Sequence, residues 1–235
     1  MFSASAELYD LIYSGFKDYP AEARELAALI RRSHPHGRTV LDVACGTGEH
    51  ARLLTEEHGF DVDGLDLDST FVAIAQHKLP RGIVYEADMT SFEIPRRYDV
   101  IVCLFSSIGY VRTLENVQRT FDRFRQHLAD AGVVLVEPWF PPGMLQPDRV
   151  SIQTAESARV SVARMSKIDV EDRLSRLRFE YLIGRASAIE HVVETHELGL
   201  FTTEETLECF REAGLYPTYD PKGPSGRGLF LARAS

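Results

Sequence analysis

Thr39-Val-Leu-Asp42-Val-Ala44-Cys45-Gly46-Thr47-Gly48-Glu-His-Ala51 is the stretch that decides the fold. It opens as a short, nearly continuous apolar run and turns through two glycines. Ala51–Glu57 then reads as a helix stopped by Gly59, giving strand, tight turn, helix. Asp61–Leu67 is a second strand, and Ser69 is the expected cap of a helix through Phe71, Ile74 and Ala75 that ends before Pro80. A β-α-β unit is complete at that point. Upstream, Pro20–Arg32 places Ala23, Leu26, Ala27 and Ile30 on one helical face.

Downstream the alternation continues. Ile83–Glu86 is a short third strand, and Tyr98–Phe105 is an apolar fourth strand of the kind buried on both faces of a parallel sheet. Thr113 caps a helix whose Val117, Phe121, Phe124 and Leu128 face the sheet; Gly132 is the expected end, and Val133–Glu137 the fifth strand. Strands alternating with helices at this spacing predict a doubly wound α/β sheet. The pattern changes after Pro138-Trp139-Phe140. Val150–Phe201 alternates with period two, which predicts antiparallel strands inserted over the sheet's functional edge. Thr202 and Glu205 form a capping box for a helix to Gly214, and Gly228–Ala232 is the last strand.

The composition excludes several classes. With 235 residues, 44% hydrophobic and 26% charged, the chain has the make-up of one globular domain, or one with an insertion. A net charge of −9 has the wrong sign for a general phosphate-backbone binder, so no nucleic-acid partner is expected. Apolar runs such as Val100–Phe105 are far too short to span a bilayer, and the first residues lack a signal-peptide pattern, so a soluble, cytoplasmic protein is expected. Three cysteines without a CxxC pair and eight scattered histidines predict neither a disulfide framework nor a metal site.

Gly46-Thr-Gly48-Glu-His-Ala51 fits a dinucleotide-type turn, and Asp66 follows Gly48 by 18 residues at the end of the second strand, where a carboxylate binds ribose hydroxyls. The turn alone does not separate a nicotinamide cofactor from S-adenosylmethionine, and a plain turn beside a solvated Asp66 is the bland alternative. Three features favour the sulfonium cofactor. Asp42 inside the first strand is costly without a cation, and the amino group of a methionine moiety is one. Asp88 follows the third strand, where it can accept from the adenine amine while Met89 lies against the ring. The C-terminal helix and paired strands suit a sheet closed by a hairpin rather than a second nucleotide-binding half.

The set Leu-Asp-Val-Ala-Cys-Gly-Thr-Gly with Asp66 and Ala87-Asp88 resembles the class I S-adenosylmethionine-dependent methyltransferases over Thr39–Glu137. That resemblance implies an α/β, doubly wound, seven-stranded Rossmann-like sheet with an inserted antiparallel β subdomain after strand five. The implied divisions are 1–38 as N-terminal lid and helix, 39–140 as cofactor core, 141–201 as the insertion and 202–235 as the closing helix and strand. Tyr9-Asp-Leu-Ile-Tyr13, Lys17-Asp-Tyr19, Phe105-Ser-Ser107-Ile-Gly-Tyr110, Val136-Glu-Pro-Trp139 and Gly223-Pro-Ser225-Gly-Arg227-Gly-Leu-Phe230 further resemble the sugar N-methyltransferases. Those enzymes dimethylate the amine of a TDP-linked amino-deoxyhexose, as in desosamine and mycaminose formation for antibiotics. The likeness is weakest over Met144–Glu194.

The resemblance implies a cofactor site of Asp42, Ala44, Gly46, Thr47, Gly48, Asp66, Leu67, Asp88, Met89 and Phe105, under a lid carrying Tyr9, Tyr13 and Tyr19. S-adenosyl-L-homocysteine would be the product, with no metal. Arg227 in its glycine turn, with Ser225, offers donors for a diphosphate. Arg164 and Arg178, with Arg173 and Arg176 nearby, are further candidates, and Trp139 follows strand five where open α/β sheets place ligands. Tyr110, with Ser107 and Glu137 on the same sheet edge, is the expected group to orient the amine or accept its proton. His196 matches a family position but reads more simply as a satisfied structural histidine. The insertion is large enough to pair two subunits, so a homodimer is expected. The rivals are another small-molecule methyltransferase, a nicotinamide oxidoreductase and a non-catalytic adenosyl-binding module.

Overall fold

The computed structural model describes residues 6–147, 149–224 and 226–234. Helices α1 (Ala6–Ser14) and α2 (Tyr19–Ser33) lead into β1 (Thr39–Val43), α3 (Glu49–Glu56), β2 (Asp61–Asp66), α4 (Ser69–Lys78) and β3 (Val84–Glu86). Next come β4 (Tyr98–Cys103), a short 3-10 turn (Ser107–Val111), α5 (Leu114–His127) and β5 (Leu128–Val136). Four strands follow: β6 (Val150–Glu156), β7 (Ser161–Glu171), β8 (Leu174–Gly184) and β9 (Ile189–Gly199). Helix α6 (Thr203–Glu212) and the hairpin β10 (Leu215–Asp220) and β11 (Leu229–Ala234) close the chain.

The main sheet has seven strands in the order β10-β11-β5-β4-β1-β2-β3. All of its pairs are parallel except β11, which runs antiparallel to both β5 and β10. The chain moves outward from β1 through β2 to β3 and then returns to β4 on the other side of β1. That reversal opens a crevice at the carboxyl ends of β1 and β4, where doubly wound sheets take their ligands.

Alternation along the strands divides the core between two faces. Val40, Val100, Val102, Val133 and Leu135 meet Leu26 and Ile30 of α2 and Leu54 of α3. Leu41, Val43, Ile101, Cys103, Val134 and Val136 meet Phe121, Phe124 and Phe210 of α5 and α6. Phe121 and Phe210 stack with centroids 3.8 Å apart, each fully buried, which contributes roughly 1.5–3 kcal/mol per ring. The capping box at α6 forms as the sequence predicts: Thr202 accepts from the backbone of Glu205, and Glu205 accepts from that of Thr202.

Two boundaries differ from expectation. The cap of α4 is Asp68 rather than Ser69, because its carboxylate accepts from the backbone N–H groups of Thr70 (2.9 Å) and Phe71 (3.3 Å). Helix α5 ends at His127 rather than near Gly132. Leu128 is already extended and paired with Tyr98, and the added residues are absorbed where the β4–β5 register shifts before Val100.

The second sheet, β6-β7-β8-β9, is wholly antiparallel. Its inward face packs on α1: Leu8, Ile12 and Tyr13 meet Val162, Phe179, Tyr181 and Ile183. The insertion and the N-terminal helix thus form one roof over the crevice. No helix of the described residues is long and apolar enough to cross a membrane.

Candidate active site

Beyond β1 the chain turns sharply, with Ala44, Gly46 and Gly48 all in the left-handed region (φ 57°, 56° and 77°). A Cβ on Gly48 would also sit 2.9 Å from that of Ala75, so only glycine lets α3 start this close to α4. The Asp66 carboxylate accepts from the backbone N–H groups of Gly46 (2.8 Å) and Asp68 (3.0 Å), tying the end of β2 to the turn, and burial raises its pKa. Leu67 is 52% exposed beside it. Asp88 stands exposed at the rim, one oxygen turned to the backbone N–H and hydroxyl of Thr90 (both 2.8 Å), with Met89 next to it. Asp66, Leu67, Asp88 and Met89 all line one cavity of about 940 Å³.

Asp42 is 2% exposed, and its carboxylate has no hydrogen bond or ion pair with any described residue. Burial first, and the nearby Asp66 second, push its carboxyl up to about 7. It lines a narrow recess at the base of the crevice with Lys17, Tyr19, Thr47, Phe105 and Ser107. A carboxyl in that state calls for a cation, which a methionine-type ammonium would supply. Lys17, which sequence reasoning missed as a site residue, lies 2.9 Å from Glu22 and 3.7 Å over the Phe105 ring; burial lowers its pKa. The recess therefore holds an uncompensated acid and a cation, the two charges needed to meet an amino-acid zwitterion.

Helix α1 covers this end. Tyr9 and Tyr13 pack with centroids 4.2 Å apart, Tyr9 against Phe71 and Tyr13 edge-on to Phe105 at 5.4 Å. Desolvation raises both phenols and that of Tyr19, which keeps them neutral donors. Asp10 anchors the helix to the Thr47 hydroxyl (2.5 Å) and to Lys78 (2.6 Å).

After β4, Phe105 and Ser106 are both left-handed (φ 53° and 64°), an arrangement that persists only when its surroundings enforce it. Glu137 does so, accepting from the Phe105 N–H at 2.6 Å, while Ser106 donates to the Pro138 carbonyl (2.6 Å) and accepts from Arg227 (3.0 Å). Glu137 is thus turned behind the loop and is 7% exposed, whereas Ser107 and Tyr110 line the cavity. Of the three residues expected at the reacting amine, Glu137 does not line the cavity. The Tyr110 hydroxyl lies 3.1 Å from His196 Nδ1, and His196 Nε2 lies 3.6 Å from Glu194.

The strand arginines separate by parity. Arg164 shares the inward face with Val162 and is 5% exposed. It stacks over Phe179 (4.8 Å) and Tyr13 (5.0 Å), bonds Gln153, and among the described residues leaves Nε and Nη1 without a hydrogen bond. Arg178 alternates with inward Leu177 and Phe179, so it is exposed and pairs with Glu180 (2.7 Å) away from the cavity. Arg176 likewise faces out, on Glu197, and Arg173, in the turn before β8, is exposed on Glu205. Arg227 stacks over Phe105 at 4.9 Å. Trp139 donates to the Ser175 hydroxyl (2.8 Å) and lines the cavity. Ser225 lies outside the described residues.

The chain is 41% identical over 227 residues to the dTDP-3-amino-3,6-dideoxy-alpha-D-glucopyranose N,N-dimethyltransferase of Streptomyces fradiae, covering 96% of this chain and 89% of the relative. It belongs to the family of TDP-amino-sugar N,N-dimethyltransferases. Another member of these dimethyltransferases, the dTDP-4-amino-2,3,4,6-tetradeoxy-D-glucose enzyme of Saccharopolyspora spinosa, is 34% identical over 96% of this chain and 91% of its own. Residues 40–132 match the family described as a methyltransferase domain. The crystal structure of Streptomyces venezuelae DesVI aligns with a TM-score of 0.92 and 36% identity, covering 98% of both chains. The seven-stranded fold and its antiparallel insertion are therefore those of the family.

Proposed function

We propose that this protein transfers two methyl groups from S-adenosylmethionine to the amine of a TDP-linked amino-deoxyhexose. The observation that carries the reading is one cavity lined both by Asp66 and Asp88 and by Arg164, whose guanidinium is buried and incompletely bonded among the described residues. Asp66 and Asp88 suit a ribose diol and an adenine amine, with Leu67 and Met89 against the ring. Asp42 takes the methionine ammonium and Lys17 its carboxylate, and Tyr9 and Tyr13 close over them. When bound, this cofactor supplies an electrophilic methyl on a sulfonium.

The amine is already a capable nucleophile once neutral, so the protein's task is to hold it in line with the methyl. Its lone pair forms the N–C bond, the S–C electron pair returns to sulfur, and the proton of the resulting ammonium leaves to water. Tyr110 and Ser107 face that point. Arg164 and Arg227, on either side of the Tyr13–Phe105 pair, suit the two phosphates. A homodimer is part of the same proposal. The outward face of β6–β9 carries Ile152, Met165, Leu182 and Val193, all exposed, beside Lys167, Arg178 and Glu180, a mixed surface suited to a second copy.

The decisive assay offers 3-amino and 4-amino TDP-deoxyhexoses with S-adenosylmethionine and identifies products by mass. Dimethylation of either supports the reading and fixes the amine. No turnover and no binding of TDP would leave a methyltransferase for another small molecule. Light scattering of the full chain tests the dimer, with Ile152→Lys and Met165→Lys together expected to give monomers.

A further inference from the structure

His196 and Glu194 project from the inward face of β9, 1% and 6% exposed, and the function proposed above gives neither a role. His196 meets the Phe179 ring edge-on (centroids 5.2 Å) and, among the described residues, faces Tyr110 from the 3-10 turn, Glu194 on its own strand and Arg164 from β7. The approach of that turn to β9 depends on Gly109. A Cβ there would stand 3.0 Å from Leu198 and 3.1 Å from Trp139, so a larger residue would push the Tyr110 hydroxyl away from the imidazole.

The proton positions follow from the partners. Burial lowers the pKa of His196, so the ring is neutral and carries one N–H. Nε2 lies 3.6 Å from the Glu194 carboxylate, beyond hydrogen-bond length but near enough for its charge to favour the N–H on Nε2. Nδ1 is then an acceptor, so the contact of 3.1 Å requires the Tyr110 hydroxyl to donate to it. With its only proton committed, the phenolic oxygen presents lone pairs to the cavity it lines.

We propose that His196, backed by Glu194, is a positioning residue that fixes Tyr110 as a pure hydrogen-bond acceptor for the substrate amine, holding it through two methyl transfers and no more. This deepens the amino-sugar reading and rests on it. A neutral primary amine has two N–H bonds, and after one transfer and loss of a proton to water the secondary amine keeps one. Tyr110 can grip either and so leave the nitrogen lone pair aimed at the methyl. After the second transfer and proton loss the tertiary amine has no N–H. An oxygen that can only accept then faces another lone pair, and the dimethylated product is released.

Two measurements test this on the full-length enzyme. Nitrogen-15 spectra of histidine-labelled protein without substrate are expected to show His196 Nδ1 as an unprotonated ring nitrogen whose resonance moves in Tyr110→Phe; a protonated Nδ1 overturns the proposal. In steady-state assays, Tyr110→Phe and His196→Leu are each expected to lower kcat about tenfold, as for one lost orienting hydrogen bond. The double variant should be no slower than either single one, and His196→Asn, which can accept from near the Nδ1 position, should recover most of the loss. Multiplied losses of about a hundredfold, or no recovery with asparagine, would show that His196 acts only in packing. If the wild-type enzyme methylates no TDP-amino sugar, the function proposed above falls, and the nitrogen spectra still decide the sense of the hydrogen bond.

Discussion

The Asp10 carboxylate lies 2.6 Å from the Lys78 ammonium, joining the helix that roofs the crevice to the helix that follows β2. Lys78 also reaches Glu49 (3.1 Å), and Asp10 also accepts from Thr47, so one carboxylate pins α1 to both sides of the cofactor turn. Asp10 is 41% exposed in its side chain, so solvent weakens the pair to about 0.5–1 kcal/mol. Asp10→Ala should therefore speed release of S-adenosylhomocysteine about two- to fivefold in stopped flow, with an effect that shrinks at high salt. A salt-independent result would mean that α1 is held by apolar packing alone.

Asp42 predicts a pH dependence with a definite sign. Its carboxyl is raised from the ordinary value near 4 to about 7, so between those limits the folded chain holds a proton that the unfolded chain has lost. Stability of the ligand-free protein must then fall as pH rises through that window, by at most a few kcal/mol. A bound ammonium favours the charged carboxylate, so below pH 7 binding of S-adenosylhomocysteine releases this proton and affinity climbs with pH until about 7. Asp42→Asn should flatten both curves and weaken binding; calorimetry in buffers of different ionisation enthalpy measures the proton directly.

What the sequence made legible was local. The apolar run before Gly46, the spacing of Val117, Phe121 and Phe124, and the Thr202–Glu205 cap each work within a few residues, and each appears as an element where periodicity put it. What was not legible joins distant segments. Nothing local marks Phe105 as left-handed, yet that conformation turns Glu137 away from the cavity to serve the Phe105 N–H. Tyr110 and His196 are separated by 86 positions, and Lys17 meets its aromatic cage only once α1 and α2 have docked. Arg178 is a different case. Its outward direction was readable from the alternation Leu177, Phe179, Tyr181, because strand neighbours must face opposite sides.

That parity separates the strand arginines experimentally. Arg164 lines the cavity, and among the described residues its Nε and Nη1 have no hydrogen-bond partner; a charge-assisted pair to phosphate contributes about 1.5–3 kcal/mol. Arg164→Met should weaken TDP affinity about ten- to a hundredfold while changing S-adenosylhomocysteine affinity little. Lysine at this position should restore only part, because it lacks the planar fork. Arg178→Ala, which removes an exposed pair with Glu180, should leave TDP affinity within about twofold. Equal losses at both positions in isothermal titration would sink the assignment of Arg164 to the diphosphate.

Gly109 couples the packing of the roof to the chemistry under it. An alanine Cβ would meet Leu198 of β9 and Trp139, which follows β5, at 3.0 and 3.1 Å, tighter than ordinary contact. A shift of a few tenths of an ångström relieves the strain, and where the turn supplies it Tyr110 moves with it. Overpacking of this size costs about 1–3 kcal/mol, or several degrees in Tm for a chain of this length. The recess beside Asp42 lies at the ends of β1 and β4 and shares Ser107 with this turn, whereas Asp66 and Asp88 follow β2 and β3, so S-adenosylhomocysteine affinity should fall less than kcat. Gly109→Ala is therefore expected to lower kcat more than it weakens cofactor binding. If calorimetry shows the expected drop in Tm while kcat is unchanged, the spacing between Tyr110 and His196 does not govern the reaction.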